Sequence, residues 1–345
     1  MTMTARKVLV RATIAAALAL ATTACAGDPA GSAGGSGGDP VTFITAAPTL
    51  GYATTQVMKS KDFATANGLN LNYQASGSSS TTLISATLSG QAQFGAGGFA
   101  TILDAINAGS DLVVVACTSL TTPSLVLRKD VATRIGASPS DPVQNRISAL
   151  KGLTIATTQE GSATNQLLRQ IVSHYGLNPD RDLRIVGVQD PSAVVGGVKQ
   201  GQFDGGYYSP GVLEQNIADG EAEIYASGPN GDFDELFKDA VFSGVFAKRS
   251  WADQHPTQVD QLLKALGQAQ DFIDQHPAEA GKVLKNDWFP KLDQNVFDIA
   301  WKSAQKSGIP GAKCTRTGVE KAMQLGGKNY SKINYDKIVV KQAQA

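Results

Sequence analysis

The chain predicts an α/β fold of two lobes, each a mainly parallel sheet flanked by helices. Three observations predict it: short β-rich runs alternate with helical patterns, that alternation occurs twice, and a mostly helical tract follows. At 345 residues the chain exceeds one average domain, and its 42% hydrophobic and 17% charged content is ordinary for a globular protein.

The first series runs VTFITAA, a helix over 53–66, LNLNYQA, a helix over 82–88, QAQFGAG, a helix over 100–108, and DLVVVACTS. The second runs LTIATTQ, a helix over 165–175, DLRIVGVQ, a helix over 193–199, FDGGYYS and a helix over 212–218. Such βαβα order brings strands together in parallel, because each helix carries the chain back before the next strand. A shift of 111 positions superposes Leu83, Ile84, Ser89, Gly90 and Gln91 on Val194, Val195, Gln200, Gly201 and Gln202. Two lobes of related construction follow from that repeat. The polar tract 130–152, with Pro139 and Pro142, reads as an excursion outside the core. Beyond 227, helices are predicted over 257–275, 277–286 and 295–307, and Pro256 and Pro277 mark two helix starts. This tract is expected to cover the first lobe. The resulting division is 41–121 with 242–345 as lobe 1, and 122–241 as lobe 2.

Arg6, Lys7 and Arg11 precede the apolar run ATIAAALALA, and small residues follow, so 1–24 reads as a secretory signal. The run is far shorter than the ~20 residues of a membrane-spanning helix. Cys25 follows Thr22, Thr23 and Ala24. This resembles the lipobox of bacterial lipoproteins, in which a small residue precedes the lipidated cysteine, although Thr22 stands where leucine is usual. Cleavage after Ala26 of the Ala24-Cys25-Ala26 triplet is the competing reading. The tract GDPAGSAGGSGGDP then completes 25–40 as a flexible tether with a span of roughly 20 Å. Export places the chain where thiols oxidise, and with Cys25 lipidated, Cys117 and Cys314 remain as an even pair. They are either bridged or two buried small apolar side chains.

Lysine plus arginine equals aspartate plus glutamate at 30 each, so no strong field draws the chain to nucleic acid. Catalytic and metal signals are thin. His174, His255 and His276 are dispersed without ligand spacing. The turn from Gly95 to Ala100 matches a dinucleotide fingerprint formally, but no acidic residue ends the next strand. No cofactor, metal or catalytic residue is therefore assigned.

The informative feature is a set of loops at the carboxyl ends of predicted strands, each opening a helix. In open α/β sheets ligands bind at that edge, where helix-start N–H groups are unpaired. The candidate binding residues are Tyr52, Ser76, Ser78, Ser79, Gly97, Gly98, Phe99, Gln159, Glu160, Ser162, Thr164, Gln189, Ser192, Tyr207, Tyr208 and Ser209. Tyr52, Phe99, Tyr207 and Tyr208 are read either as walls for an apolar or planar ligand body or as core aromatics.

The tracts SGQAQFGAGGFATILDAINAGSDLVVVA, ISALKGLTIATTQEGSATNQLLRQIVSHYGLNPDRDLRIVGVQDPSA and QGQFDGGYYSPGVLEQ resemble the periplasmic-binding proteins of the nitrate, sulfonate and taurine type, grouped with NMT1-like and thiamine-pyrimidine-binding proteins. The resemblance implies a type II, flytrap fold that closes on a small-molecule ligand. It implies delivery of that ligand to ABC permease subunits with a cytoplasmic ATPase; the absent acid-base constellation reads as a binder rather than an enzyme, and the signal with Cys25 is expected to hold the chain on the outer face of the cell membrane. A monomer is expected, rotating about strands near 124–129 and 241–248. The family commonly has an aromatic-acidic-proline sequence after the second lobe's glycine-rich strand, where this chain has Tyr208-Ser209-Pro210. Ser209 supplies no charge for a ligand amine, which disfavours taurine-like amines unless Glu160 takes over that role. A sulfonate-, nitrate- or taurine-like organic anion is the first ligand reading, a thiamine-precursor pyrimidine or other planar heterocycle the second, and an α/β enzyme using the same cleft the reading from another class.

Replacing Cys25 by serine should release the protein from the membrane fraction. A wild-type protein that fractionates as soluble and begins at Gly27 would contradict the lipid anchor.

Overall fold

The computed structural model describes residues 40–345 apart from Gln189 and Gly327, so the signal, lipidation and most of the tether readings lie outside the described residues. From Val41 the chain forms β1 (Val41–Thr45), α1 (Ala53–Ser60), α2 (Phe63–Ala66), β2 (Leu71–Ala75), α3 (Ser80–Leu88), β3 (Phe94–Gly98), α4 (Phe99–Asn107) and β4 (Leu112–Leu120). There follow β5 (Ser124–Arg128), α5 (Lys129–Ile135), α6 (Val143–Ser148), β6 (Thr154–Thr157), α7 (Ala163–His174), β7 (Arg184–Gly187), α8 (Pro191–Lys199), β8 (Gly205–Tyr208), α9 (Glu214–Ala218), β9 (Ala222–Ser227) and α10 (Asp234–Phe237). The last part comprises β10 (Val241–Lys248), α11 (Arg249–Gln254), α12 (Pro256–Gln275), α13 (Pro277–Asp287), α14 (Gln294–Ala304), α15 (Arg316–Leu325) and α16 (Tyr335–Ile338).

Two five-stranded sheets result, in the orders β2-β1-β3-β10-β4 and β7-β6-β8-β5-β9. The parallel pairs expected from the βαβα order are present, β1 with β2 and β3, and β6 with β7 and β8. Each sheet is nonetheless mixed. β10 pairs antiparallel with β3 and β4, and β5 antiparallel with β8 and β9. These are the strands that arrive from the other sheet, β5 directly from β4 and β10 after the short α10, so neither follows a helix packed on the sheet it enters. The chain crosses at 121–123 and returns through 228–240, just outside β5 and β10.

The repeat seen in sequence has a structural counterpart. α3 leads into β3 and α8 into β8, and both strands stand third in their sheets. Gly90 and Gly201, which it superposes, end those helices with φ of 83° and 74°. Any other residue would pay the left-handed cost there.

Each sheet has its own core. Around the first, Phe43, Phe94, Val114 and Phe246 are buried with Leu262 and Leu266 of α12. α12 presents Val259, Leu262, Leu263, Leu266, Ala269 and Ile273 on one stripe, the 3–4 spacing of a helix with one apolar face. Around the second, Leu125, Leu127, Ile155, Leu168, Ile171, Tyr207 and Tyr225 form the main cluster.

Three local expectations need correction. The helix predicted over 53–66 is two, because Asp62 adopts the left-handed region at φ 52° between α1 and α2. The predicted helix over 295–307 ends in a 3-10 turn at Gln305–Ser307. The tract 130–152 is not an excursion. It forms α5 and α6, whose Val131, Ala132 and Ile147 join Leu150 in the second core. Arg146 there is buried, donating to Tyr225 O at 2.8 Å and to Asp232 at 2.6 Å, so its charge is paired rather than solvated.

Cys117 of β4 and Cys314, which precedes α15, form a disulfide across 197 positions. It ties the C-terminal segment to the first sheet. Closing so long a loop restricts the unfolded chain strongly, so Cys314→Ser should cost about 2–5 kcal/mol in urea unfolding. Two alkylatable thiols in freshly isolated native protein would exclude the bridge.

Candidate functional site

The carboxyl ends of the parallel strands of both sheets face one cleft of 210 Å³. It brings together Tyr52, Ser78, Ser79, Gly98, Gln159, Ser162, Thr164, Tyr208 and Ser209 of the residues expected from sequence. Four of its lining residues are helix N-caps: Tyr52 of α1, Ser79 of α3, Gly98 of α4 and Ser162 of α7. The first-turn N–H groups of a helix have no intrahelical acceptor, and its dipole places partial positive charge at that end. The serine caps hold the helix starts in place: Ser79 Oγ accepts from Thr82 N and Ser162 Oγ from Asn165 N, both at 3.3 Å. Ser162 Oγ is also bonded to Thr158 Oγ1.

No lining residue carries a charge. Thr164, 8% exposed, has no hydrogen-bond partner for its hydroxyl among the described residues and opens onto the cleft. Donors are thus hydroxyls, backbone N–H groups and the Gln159 side-chain amide, all uncharged, and Ala46, Val212 and Phe242 add apolar wall. Such a site suits a molecule with acceptor oxygens on an apolar body.

Gly98 and Ala163 meet across the cleft. A Cβ built on Gly98 lies 2.5 Å from the Ala163 Cβ, so only glycine fits there. Gly97 serves Ser80: a Cβ at 97 would stand 3.0 Å from Ser80 Oγ, which accepts the Gly98 N–H at 3.1 Å.

Six expected residues do not line the cleft, and Gln189 lies outside the described residues. Phe99 and Tyr207 are corrected to core positions. Phe99 is fully buried under β10, with its ring 3.0 Å from where a Cβ of Gly244 would stand. Tyr207 and Tyr208 are consecutive strand residues and so face opposite sides. Tyr207 enters the second core, where burial pushes its phenol well up. Tyr208 reaches the cleft, but it also packs on Val194 and Val212, and its hydroxyl donates to Val188 O at 3.2 Å. Ser76 donates to Thr45 O and shapes its loop, Gly97 supports Ser80, and Glu160 is exposed. Ser192 donates from N and Oγ to Asp190 Oδ1, which holds the Asp190 carboxyl below its usual range and caps α8.

The cleft also contains residues absent from the expectation. Ala46, Ala47 and Thr49 follow β1, and the rule that sites lie at strand ends reaches them. Phe242 and Ser243 come from the returning β10, and no local signal marks them. Ser243 Oγ sits within 2.9 Å of Thr118 and 2.6 Å of Ser119. The three histidines lie apart from the cleft: His174 beside Glu235, His255 stacked on Trp251, and His276 against Phe272.

Beneath the turn that follows β8 and carries Ser209 lies Glu214, buried, with Oε2 accepting the Gly211 N–H at 2.8 Å. Burial pushes its carboxyl up to about 7, against the opposing pull of those backbone donors.

The sequence pattern of the NMT1-like family matches residues 41–285, and the chain belongs to that family. No curated protein sequence matches it. Among solved structures, the periplasmic aliphatic sulphonate binding protein SsuA from Escherichia coli superposes with a TM-score of 0.66 at 15% identity, over 89% of this chain and 95% of that one. The alkanesulfonate-binding protein SsuA from Xanthomonas axonopodis pv. citri, bound to MOPS, gives 0.67 at 16%, over 90% and 99%. The periplasmic nitrate-binding protein NrtA from Synechocystis PCC 6803 gives 0.60 at 18%, over 76% and 69%. These likenesses establish a shared periplasmic-binding-protein fold.

Glu214 yields a pH prediction. Its folded value lies above its unfolded one, so the stabilisation it gives is complete below the unfolded carboxylate range and is lost as pH rises through about 7. Wild type should lose up to about 3 kcal/mol between about pH 5 and about pH 8, and Glu214→Gln should flatten that slope. Urea unfolding at both ends checks it. Parallel slopes would show that Glu214 ionises freely in the folded chain.

Proposed function

We propose that this chain is an exported solute-binding protein which captures a small organic anion between its two sheets and presents the closed form to an ABC permease with a cytoplasmic ATPase. One observation carries the reading: four helix starts and a ring of hydroxyls, drawn from both sheets, meet in a cleft lined by no charged side chain. An anion gains there from dipoles and N–H groups, whereas an ammonium would be desolvated without a carboxylate. The SsuA and NrtA proteins that share the fold are sulfonate and nitrate binders by name, which agrees with an anionic solute.

In this reading 41–121 with 242–345 is one lobe and 122–241 the other, joined at the two crossings, and Cys25 anchors the chain. Binding involves no chemistry. Solute contacts from both lobes favour the closed state, and the permease reads closure.

Native mass spectrometry of the protein as purified should show a retained small anion. That solute, at a hundredfold excess over its dissociation constant, should stabilise the fold by ~2.7 kcal/mol. Gly98→Ala should abolish retention by wedging the lobes apart, and Ala163→Gly in the same chain should restore it, since the new Cβ then meets only the backbone of residue 163 at 3.8 Å, an ordinary van der Waals distance. Turnover of the retained molecule would favour the enzyme reading, and a planar heterocycle would replace the anion.

A further inference from the structure

α4 and α7 belong to different sheets and meet along a seam behind the cleft. Gly98 and Ala163 touch where the two helices begin. Further along, Gln166 Nε2 donates to Asp104 Oδ2 at 3.4 Å. The same Asp104 accepts from Lys328 Nζ at 2.7 Å and from Tyr330 Oη at 2.6 Å. The carboxylate is thus held by the C-terminal segment of its own side and reaches across to the other.

The rest of the seam works against contact. A cavity of 30 Å³ lies between Ala100, Gln166, Leu167, Gln170 and Leu325. Two amide oxygens there, Gln166 Oε1 and Gln170 Oε1, are buried with no hydrogen-bond partner among the described residues. Permanently closed interiors rarely leave such groups unpaired, because each forfeits its hydration. An interface that opens recovers that hydration whenever it parts. Among the described residues Tyr207 Oη and Tyr225 Oη are also unpaired inside the second core, but at the seam the unpaired oxygens belong to glutamines beside a cavity between two sheets, as a surface that opens would carry.

We propose that Asp104 and Gln170 set solute affinity from outside the cleft, Asp104 as a latch on the closed state and Gln170 as a counterweight against it. The proposal rests on the lobe closure proposed above. A solute's apparent affinity scales with the fraction of molecules poised to close, so neither residue needs to touch it.

The test needs no solute. Nitroxide labels are placed at Asn72→Cys on β2 and Arg184→Cys on β7, both exposed edge-strand positions, in a Cys25→Ser background with the Cys117–Cys314 bridge intact. Dipolar electron resonance then gives the distance distribution after exhaustive dialysis. Gln170→Leu should raise the ratio of short to long distances roughly fivefold or more, and Asp104→Ala, which removes the acceptor of the Gln166 amide, should lower it by a similar factor. Gln170→Met serves if the leucine variant folds poorly. A rise for the Gln170 variant with a fall for the Asp104 variant supports the proposal; ratios that stay fixed, move in the same direction, or move in the reversed sense overturn it. A seam that responds in a protein retaining no solute would fault the binding reading and leave this one standing. Retained solute with an unresponsive seam would do the reverse.

Discussion

β10 lies between β3 and β4, and the rest of the structure depends on that insertion. It places Ser243 beside Gly98 and Ser119, and Phe246 against Gly95, joining chain segments more than a hundred positions apart. The fit is made by small residues. A Cβ at Gly95 would lie 2.4 Å from Phe246 Cζ, and one at Gly244 would meet Ala116 O at 2.8 Å. Glycine at these positions lets an aromatic ring and a neighbouring backbone approach a buried strand that would otherwise be forced out of register. Because β10 closes the first sheet only after the second has been threaded, the crossings at 121–123 and 228–240 end up side by side. The parallel strands of both sheets are thereby turned with their carboxyl ends toward one cleft.

The chemistry of the cleft follows from that topology. Strand ends that open helices bring N–H groups, and hydroxyl residues are the ones that cap such helices. Ser79 and Ser162 stabilise their own helices and line the cleft with the same side chains. Polarity is obtained without burying a charge, so the cleft avoids the desolvation cost that a buried arginine or lysine would carry. Glu214 shows the alternative. Sealed under the loop after β8, its carboxyl is driven up to about 7 and keeps to its own backbone turn.

Much of this was legible in sequence, and the failures have physical causes. Ser79, Gly98 and Ser162 were legible because capping and glycine turns are local signals. Tyr207 and Tyr208 were not separable, since β8 is buried on both faces and its residues show no alternation of polarity. Phe99 stood in the right loop, but a residue that begins a helix after a buried strand turns inward as readily as outward. Phe242 and Ser243 carry no local mark, because their place is decided by long-range pairing. The tract 130–152 misled through its density of polar residues. Two helices of seven and six residues need only a few buried positions each, and the paired Arg146 concealed one of them.

The two halves share a strand order but not a share of the cleft. β1, β2 and β3 each lead to a helix whose N-cap lines it, whereas in the second half only β6 does so, through α7. After β8 the chain takes the Ser209-Pro210-Gly211 turn instead, and α8 is capped by Asp190, which neutralises its own helix start. The positive helix ends are therefore three on the first half and one on the second. Under the proposed closure, an anion meets most of its donors on the first half while the cleft is open, and α7 brings the last. The same α7 carries Gln166 and Gln170 against α4. Under the same proposal, capture of the solute's charge and closure of the seam act on one helix, so that occupancy of the cleft and its closure are coupled through α7.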